Sequence, residues 1–139
     1  MDNINDGTKL LGIIGCPVSQ SYSPAMHNKL YKDLGLSYIY MPIEVKSESE
    51  LPSVLEWIRR ANFAGFSVTK PYKEAIMKHL DSADATAERA GACNTVVIDD
   101  WHFKGYNTDG TGFVRSLKGG VSFKDSVFLS IGAGGTARA

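Results

Sequence analysis

The chain has few cysteines, no excess of one charge and no long hydrophobic run, and each shortage excludes a class of protein. Two cysteines, Cys16 and Cys93, are too few for a disulfide framework and do not have the spacing of a metal site. Fifteen basic residues balance fifteen acidic ones, so no basic field indicates binding to nucleic acid or to a membrane surface. No segment approaches the ~20 apolar residues of a membrane span, and the polar residues 1–9 do not resemble a signal peptide. We therefore expect a cytoplasmic protein with free thiols and without a bound metal.

The composition predicts a folded domain built from alternating strands and helices. With 139 residues, of which 43% are hydrophobic and 22% charged, the chain is long enough to bury a core. Short apolar runs predict strands at residues 10–14, 38–45, 64–68 and 127–131, and a hairpin at 95–98 and 101–106. This alternation predicts an α/β fold with a mainly parallel, twisted sheet and helices on both faces.

Capping residues and apolar spacing predict where the helices lie. Ser23-Pro24 predicts an N-cap followed by proline at the first helical position, and Met26, Leu30 and Leu34 then recur on one helix face. Further helices are expected after the capping-box pattern Ser47-x-x-Glu50, from 69 to 80, within 81–90 and around 113–117.

Polar side chains cluster where the predicted strands end. These clusters lie at residues 19–24, 67–73, 91–95 and 106–110. In an open α/β sheet, ligands bind beyond the carboxyl ends of the strands. Hydroxyls, amides, a lysine and a carboxylate at one edge are suited to a small polyol that carries an acid group, because each hydroxyl of such a ligand can find a donor and an acceptor.

The last residues of the chain predict the start of a second domain. The apolar run at 127–131 is followed at once by Gly132-Ala133-Gly134-Gly135-Thr136-Ala137, a G-x-G-x-x-A pattern typical of a dinucleotide-binding βαβ unit. We therefore predict a first domain over residues 1–120, a boundary near 119–124, and the truncated start of a Rossmann-type domain over 121–139.

Taken together and in order, five motifs resemble those of shikimate dehydrogenases. They are S-x-S-x-S-P, S-V-T-x-P-x-K, G-A-x-N-T, N-T-D-G and G-A-G-G-x-x-R, and they run from Leu11 to the end of the chain. The resemblance implies reversible, NADP-linked reduction of 3-dehydroshikimate to shikimate on the route to aromatic amino acids. It also implies that this chain is the substrate-binding part; a homodimer is compatible with the sequence.

The resemblance also implies a role for individual residues. Lys73 and Asp109 would form the catalytic pair, and we expect their side chains within roughly 3 to 5 Å of each other. The implied substrate-binding residues are Ser21, Ser23, Ser67, Thr69, Lys73, Asn94 and Asp109. The implied cofactor-binding residues are Gly132, Ala133, Gly134, Gly135, Thr136 and Arg138.

Several alternatives stay open at this level. Ser23, Thr69 and Asp109 could each be only a helix cap. Lys73 could act as a general acid–base, which we favour, or as an electrostatic clamp on developing alkoxide charge. Many family members have Asn where this chain has Ser67, so an NAD-linked quinate/shikimate dehydrogenase is an alternative. A non-catalytic sensor of a cyclitol acid on the same fold is another.

Overall fold

A six-stranded sheet forms the centre of the residues that the computed structural model describes, namely 4–117, 127 and 129–139. Its strands are β1 (Lys9–Gly15), β2 (Tyr38–Glu44), β3 (Phe63–Val68), β4 (Ser82–Ala83), β5 (Thr95–Asp99) and β6 (His102–Tyr106). In space they follow the order β2-β1-β3-β5-β6-β4. β1 pairs in parallel with β2 and β3, and β4 with β6, whereas β5 is antiparallel to both its neighbours. The prediction of a mainly parallel sheet is confirmed, with the hairpin strand β5 as the antiparallel exception.

Helices connect the strands and cover the sheet. They are α1 (Ser23–Asp33), α2 (Leu51–Arg60), α3 (Ala85–Ala90), α4 (Asp109–Ser116) and α5 (Gly135–Arg138), with 3₁₀ helices at Glu48–Glu50 and Ala75–His79. The α1 connection leads from β1 to the edge strand β2, and α2 leads back across β1 to β3. Since such crossovers are right-handed, connections that run in opposite directions lie on opposite faces of the sheet.

The main core lies between α2 and the sheet. Leu51, Leu55 and Ile58 form one face of α2 and are buried with Ile14 of β1 and Phe66 of β3. Each fully buried side chain of this size contributes about 1.5–3 kcal/mol by leaving water. This face is the apolar stripe expected behind the pattern at residues 47–50, so the sequence period correctly predicts the helix and its buried side.

The apolar stripe of α1 does not face the core. The helix forms as its spacing predicts, yet it has no buried residue. The side chains that recur on one face are 60%, 49% and 62% exposed; these are Met26, Leu30 and Leu34. Periodicity identifies a helix and one apolar face, but it does not say whether that face meets the same chain.

Polar and aromatic contacts hold α1 against β2 instead. The side chain of Asn28 hydrogen-bonds to both the N–H and the C=O of Tyr40, each at 2.8 Å. The ring of His27 stacks on the ring of Tyr40 with a centroid distance of 4.3 Å. Since β2 is an edge strand, these bonds satisfy backbone groups that would otherwise be open to another strand.

Two of the predicted caps differ from the structure. Ser23 is the first residue of α1, and Tyr22 precedes it with helical dihedral angles and no capping side chain. The chain therefore turns before Ser23, which removes the extended N-cap geometry that a serine cap needs. Asp109 is likewise the first residue of α4, after Thr108, and its carboxylate is directed to other side chains.

Three segments of predicted helix are shorter than expected. The capping box fails because the Ser47 hydroxyl pairs with Ser49, and only a short 3₁₀ helix precedes α2. The helix predicted over 69–80 is reduced to the 3₁₀ helix Ala75–His79. Pro71 explains why it does not begin at residues 69–70, because proline disfavours helical geometry in the residue before it. The helix predicted within 81–90 begins only after β4, at Ala85.

The terminal segment forms the predicted turn without the predicted strand. Val127 and residues 129–131 are not part of any strand and are exposed. The predicted domain boundary near 119–124 lies outside the described residues, as does Phe128. Among the helices in the described ranges, none is long and apolar enough to cross a membrane.

Asp84 provides the clearest local test of the fold. Its side chain caps α3 by accepting hydrogen bonds from the N–H groups of Thr86 and Ala87, both at 3.0 Å. The hydrogen bond from the Thr86 hydroxyl, followed by these N–H groups, holds the pKa of the Asp84 carboxyl below its usual value against the opposing effect of burial.

We predict that Asp84→Ala lowers the free energy of unfolding by about 1 kcal/mol near neutral pH. Because the folded pKa is lowered, the stabilisation is present above the unfolded pKa and is lost as pH falls through the folded value. Urea unfolding across this pH range measures the effect, with the exposed Asp6→Ala as a control. A gap between wild type and Asp84→Ala that stays constant down to low pH would contradict the prediction.

Candidate active site

Four strand termini meet at one edge of the sheet. β1 and β3 are parallel neighbours and end together, with Ile14 opposite Val68. β5 is antiparallel, so its first residue, Thr95, lies opposite Ser67 of β3 and Tyr106 of β6. The motif before β5 and the motifs after β1, β3 and β6 therefore share this edge. The expectation of a single cleft depends on this antiparallel strand.

Lys73 and Asp109 form a direct ion pair at this edge. The Lys73 Nζ lies 2.5 Å from Asp109 Oδ2, and the two side chains are 18% and 20% exposed. Lys73 follows β3 through a turn, and Asp109 begins α4 after β6. An ion pair that is mostly withdrawn from water is screened less than a surface pair. The structure thus brings together the two residues predicted to be catalytic.

Asn94 holds the other oxygen of the same carboxylate. Its Nδ2 donates to Asp109 Oδ1 at 2.7 Å and to Thr108 Oγ1 at 2.9 Å, and its Oδ1 accepts from the Thr108 N–H at 3.0 Å. Asp109 is therefore held by an ammonium on one oxygen and an amide on the other.

A pocket of about 440 Å³ lies beside this pair. It is lined by Thr69 and Lys73 on one side and by the glycine turn on the other. The N–H of Thr69 donates to the Ile14 carbonyl at 2.8 Å, which continues the pairing of β1 with β3. A Cβ on Gly15 would lie 2.3 Å from the Thr69 methyl group, so this close approach requires glycine.

The glycine turn contacts the ion pair through Thr136. Lys73 Nζ donates to the Thr136 hydroxyl at 2.9 Å, and that hydroxyl lies 3.4 Å from Asp109 Oδ2. Arg138 adds a 3.5 Å ion pair with Glu74. The Thr136 hydroxyl therefore lies beside the ion pair, within reach of both the ammonium and the carboxylate.

The two serines predicted after β1 lie further along the same edge. The N–H of Ser23 donates to Ser21 Oγ at 3.3 Å, and the Ser23 carbonyl lies 2.9 Å from His27 Nδ1. In the part of the chain that the structure describes, neither serine hydrogen-bonds to Lys73 or Asp109.

Tyr40 is a candidate residue that the sequence pattern does not reveal. It is 4% exposed, and among the described residues no group forms a hydrogen bond of good geometry with its buried hydroxyl, the Ser67 hydroxyl being near it. Burial raises the pKa of this hydroxyl, and the nearby Ser67 hydroxyl partly opposes the effect. A buried hydroxyl without a partner is costly unless a ligand satisfies it. The only sequence signal is a tyrosine at a position of β2 that faces inward.

The described residues contain no cluster of three His, Cys, Asp or Glu side chains placed to hold a metal ion. Cys93 is fully buried in the G-A-C-N-T motif, and burial raises the pKa of its thiol. A protonated thiol is a poor nucleophile and a poor ligand, which agrees with a packing role.

Comparison with known proteins gives consistent matches. Residues 13–96 match the sequence profile of the shikimate dehydrogenase substrate binding domain. The NADP(+) shikimate dehydrogenase of Halothermothrix orenii is 44% identical over 137 residues, which are 97% of this chain and 47% of that protein. A crystal structure of a shikimate dehydrogenase in complex with NADP+ has a TM-score of 0.90 at 43% identity, covering 99% of this chain and 48% of its own. The Thermus thermophilus shikimate 5-dehydrogenase in complex with shikimate gives 0.86 at 40% identity, covering 94% and 50%.

These matches define the chain first as an α/β substrate-binding domain. It belongs to the shikimate dehydrogenase family, and the resemblance inferred from the five motifs is confirmed. The chain spans about half the length of the relatives it matches. The roles of the individual site residues stay predictions.

Two buried tyrosines test whether the Tyr40 hydroxyl lacks a partner. The Tyr72 hydroxyl donates to the Val45 carbonyl at 2.7 Å, whereas the Tyr40 hydroxyl has no hydrogen bond of good geometry to any residue that the structure describes. We predict that Tyr72→Phe costs about 1 kcal/mol of unfolding free energy, and that Tyr40→Phe costs nothing or is stabilising. Urea unfolding of the two variants measures this difference directly. Equal losses would mean that Tyr40 already has a partner within the protein.

Proposed function

We propose that this chain is the substrate-binding part of an NADP-dependent shikimate dehydrogenase, which reduces 3-dehydroshikimate to shikimate. The division into a substrate domain over 1–120 and a cofactor domain from 121 is part of the proposal. The observation that carries it is the Lys73–Asp109 pair, held by Asn94 and contacted by Thr136, so that residues of four of the five motifs meet. Family membership and the names of the relatives support the same reaction.

The polar groups at this edge are suited to shikimate, a ring with three hydroxyls and one carboxylate. Thr69 lines the pocket beside Lys73 and offers a hydroxyl that can donate and accept. Asn94 would bind substrate by exchanging one of its bonds to Thr108. Ser67 and the unpaired Tyr40 hydroxyl offer a second polar position, and Ser21 and Ser23 a third. A site of this kind rejects analogues that lack a hydroxyl, because its own buried groups would be left without partners.

Lys73 supplies the proton in the reductive direction. A nicotinamide cofactor, when bound, would supply the hydride to the carbonyl carbon. The Lys73 ammonium then protonates the oxygen as it becomes an alkoxide, and in the reverse direction the neutral amine takes that proton back. The carboxylate of Asp109 stabilises the ammonium and holds it in place at 2.5 Å. General acid–base help of this kind is worth roughly 10²–10⁴-fold in rate.

The glycine turn fits the backbone of a dinucleotide. Gly132 has a φ of +112°, a backbone angle that residues other than glycine rarely adopt. The space where a Cβ of Gly132 or Gly134 would lie is open. Backbone N–H groups there are accessible to a pyrophosphate. The proposed cofactor-binding residues are Gly132, Ala133, Gly134, Gly135, Thr136 and Arg138.

We predict that Lys73→Ala lowers turnover by roughly 10²-fold or more in a chain that carries a complete cofactor domain. Asn94→Ala should raise the Michaelis constant for shikimate, because it removes proposed substrate contacts made in both the ground and the transition state, and it should also lower turnover, because it removes the amide that holds the Asp109 carboxylate. Steady-state assays with shikimate and quinate, each with NADP+ and NAD+, separate the proposed activity from the quinate alternative.

The control for this test is Lys78→Ala, which removes an exposed lysine from an ion pair with Glu48. Its kinetics should equal those of wild type. Calorimetric titration of the 139-residue chain with shikimate gives a second readout that needs no cofactor. Tight binding without any turnover by the extended wild-type enzyme would favour the sensor alternative, and unchanged turnover of Lys73→Ala would refute the proposed proton transfer.

We also propose that the protein is a homodimer formed through the outer face of α1. Tyr22, Met26, Leu30 and Leu34 expose apolar surface there. The outer edge of β2 has few free backbone groups to pair with another strand. Asn28 already hydrogen-bonds to the N–H and the C=O of Tyr40, and Pro42 has no N–H.

The charges beside this face support pairing with a second copy. Lys29 and Asp33 form an ion pair one turn apart on α1, with 2.6 Å between Lys29 Nζ and Asp33 Oδ2. In an antiparallel helix pair about a two-fold axis, Lys29 of one copy faces Asp33 of the other, so the surface is complementary to itself.

The cytoplasm is the proposed location of the protein. Its two cysteines, Cys16 and Cys93, are free, as is usual in a reducing compartment.

The dimer is tested by light scattering of the chain across a dilution series. Leu30→Glu should weaken dimerisation at least about tenfold, because it places a charge in the apolar centre of the face. Leu30 is half exposed, so the monomer should still fold. Lys46→Glu, at an exposed position after β2, is the control. A wild-type chain that is monomeric throughout, or a Leu30→Glu chain that dimerises like wild type, would disprove this interface.

A further inference from the structure

Asn107 is the one buried amide side chain in the described part of the chain, at 4% exposure, and no charged side chain there is buried to the same degree. It belongs to the N-T-D-G motif, for which the substrate and catalytic roles considered above require only the aspartate. Both ends of its amide are hydrogen-bonded. The Nδ2 donates to the Ala92 carbonyl at 2.8 Å, and the Oδ1 accepts from the N–H of Asp109 at 3.0 Å.

These two bonds join the segments that carry the site. Ala92 lies two residues before Asn94, and the N–H of Cys93 donates to the Lys73 carbonyl at 2.7 Å. The amide of Asn107 therefore links the backbone of Asp109 to the segment that holds both Asn94 and Lys73. The contacts form a closed set, in which Lys73, Asn94 and Asp109 are each fixed relative to the other two.

The position of Asn107 is itself fixed from α3. Its backbone N–H donates to the Thr86 hydroxyl at 2.9 Å, and this hydroxyl donates to the capping carboxylate of Asp84 at 2.5 Å. The carbonyl of Ala92 and the start of α4 are thus held by one rigid network and not by loop packing alone.

We infer that Asn107 is a positioning residue for the catalytic pair, acting on Asp109 through the backbone. It sets the direction from which the Asp109 carboxylate meets Lys73 and Asn94, and it does not itself contact substrate. This role rests on the proposed function, in which Lys73 must present its proton to one oxygen atom. A displacement of about 1 Å at such a group costs on the order of 10²-fold in rate.

The kinetic test uses the chain with a complete cofactor domain. Asn107→Leu keeps the approximate volume and removes both hydrogen bonds. Asn107→Asp keeps an acceptor for the Asp109 N–H and removes the donor to Ala92. We expect Asn107→Leu to lower kcat by about 10²-fold, to change KM by less than about threefold, and to lower kcat more than Asn107→Asp does.

The matched control is Phe103→Leu, a fully buried change in β6 that reduces core packing away from the pair. Its kcat, corrected for the folded fraction, should stay within about twofold of wild type, since it removes packing and no contact of the site. Equal effects of Asn107→Leu and Phe103→Leu on kcat at equal folded fractions would overturn the inference.

A second readout uses the 139-residue chain and needs no turnover. Hydrogen exchange by NMR should show that the Asp109 amide loses protection in Asn107→Leu and keeps part of it in Asn107→Asp. The ammonium signal of Lys73 should broaden in step with this loss. Unchanged protection of Asp109 in both variants would refute the positioning role. Lost protection with an inactive wild-type enzyme would instead refute the proposed function alone.

Discussion

The site depends on the pairing of β3 with an antiparallel strand. In a purely parallel sheet, the first residue of β5 would lie at the opposite edge from the ends of β1 and β3. The antiparallel direction instead puts Thr95 beside Ser67 and brings Asn94 to the same edge as Lys73. The tight return to β6 then places Asp109 at that edge as well, next to both residues. A change of strand direction therefore decides which polar groups can meet.

Once assembled, the polar groups act as a unit. The carboxylate of Asp109 has Lys73 on one oxygen and Asn94 on the other, and its backbone is held by Asn107. Each of these groups is partly or fully withdrawn from water, where an unpaired charge would be costly. The same contacts that satisfy the carboxylate therefore also orient it, so that stability and the geometry of the ion pair are coupled at this edge. When substitutions at these residues are combined, their effects on the free energy of unfolding are expected not to add.

Local sequence rules succeed where the outcome depends on near neighbours in the chain. The helical period correctly predicts α2 and its buried face, and the turn between β5 and β6 is correctly placed. The rules fail where a longer-range contact competes. Ser23 does not cap α1 because the chain has already turned at Tyr22, and the stripe headed by Met26 faces away from the sheet because Asn28 and His27 hold the helix by its other side.

The sequence by itself determined the α/β class, the order of most strands and helices, the family, and Lys73 and Asp109 as the candidate catalytic pair. The class and the order of the elements follow from hydrophobic period and turn residues, which are local properties, whereas the family and the candidate pair are implied by the resemblance of the five motifs. Only the tertiary structure decided that Lys73 and Asp109 touch, that Thr136 reaches them, and that the Tyr40 hydroxyl is buried next to Ser67. The physical reason is that hydrogen bonding and burial depend on strand direction and sheet order, which bring together residues far apart in the chain.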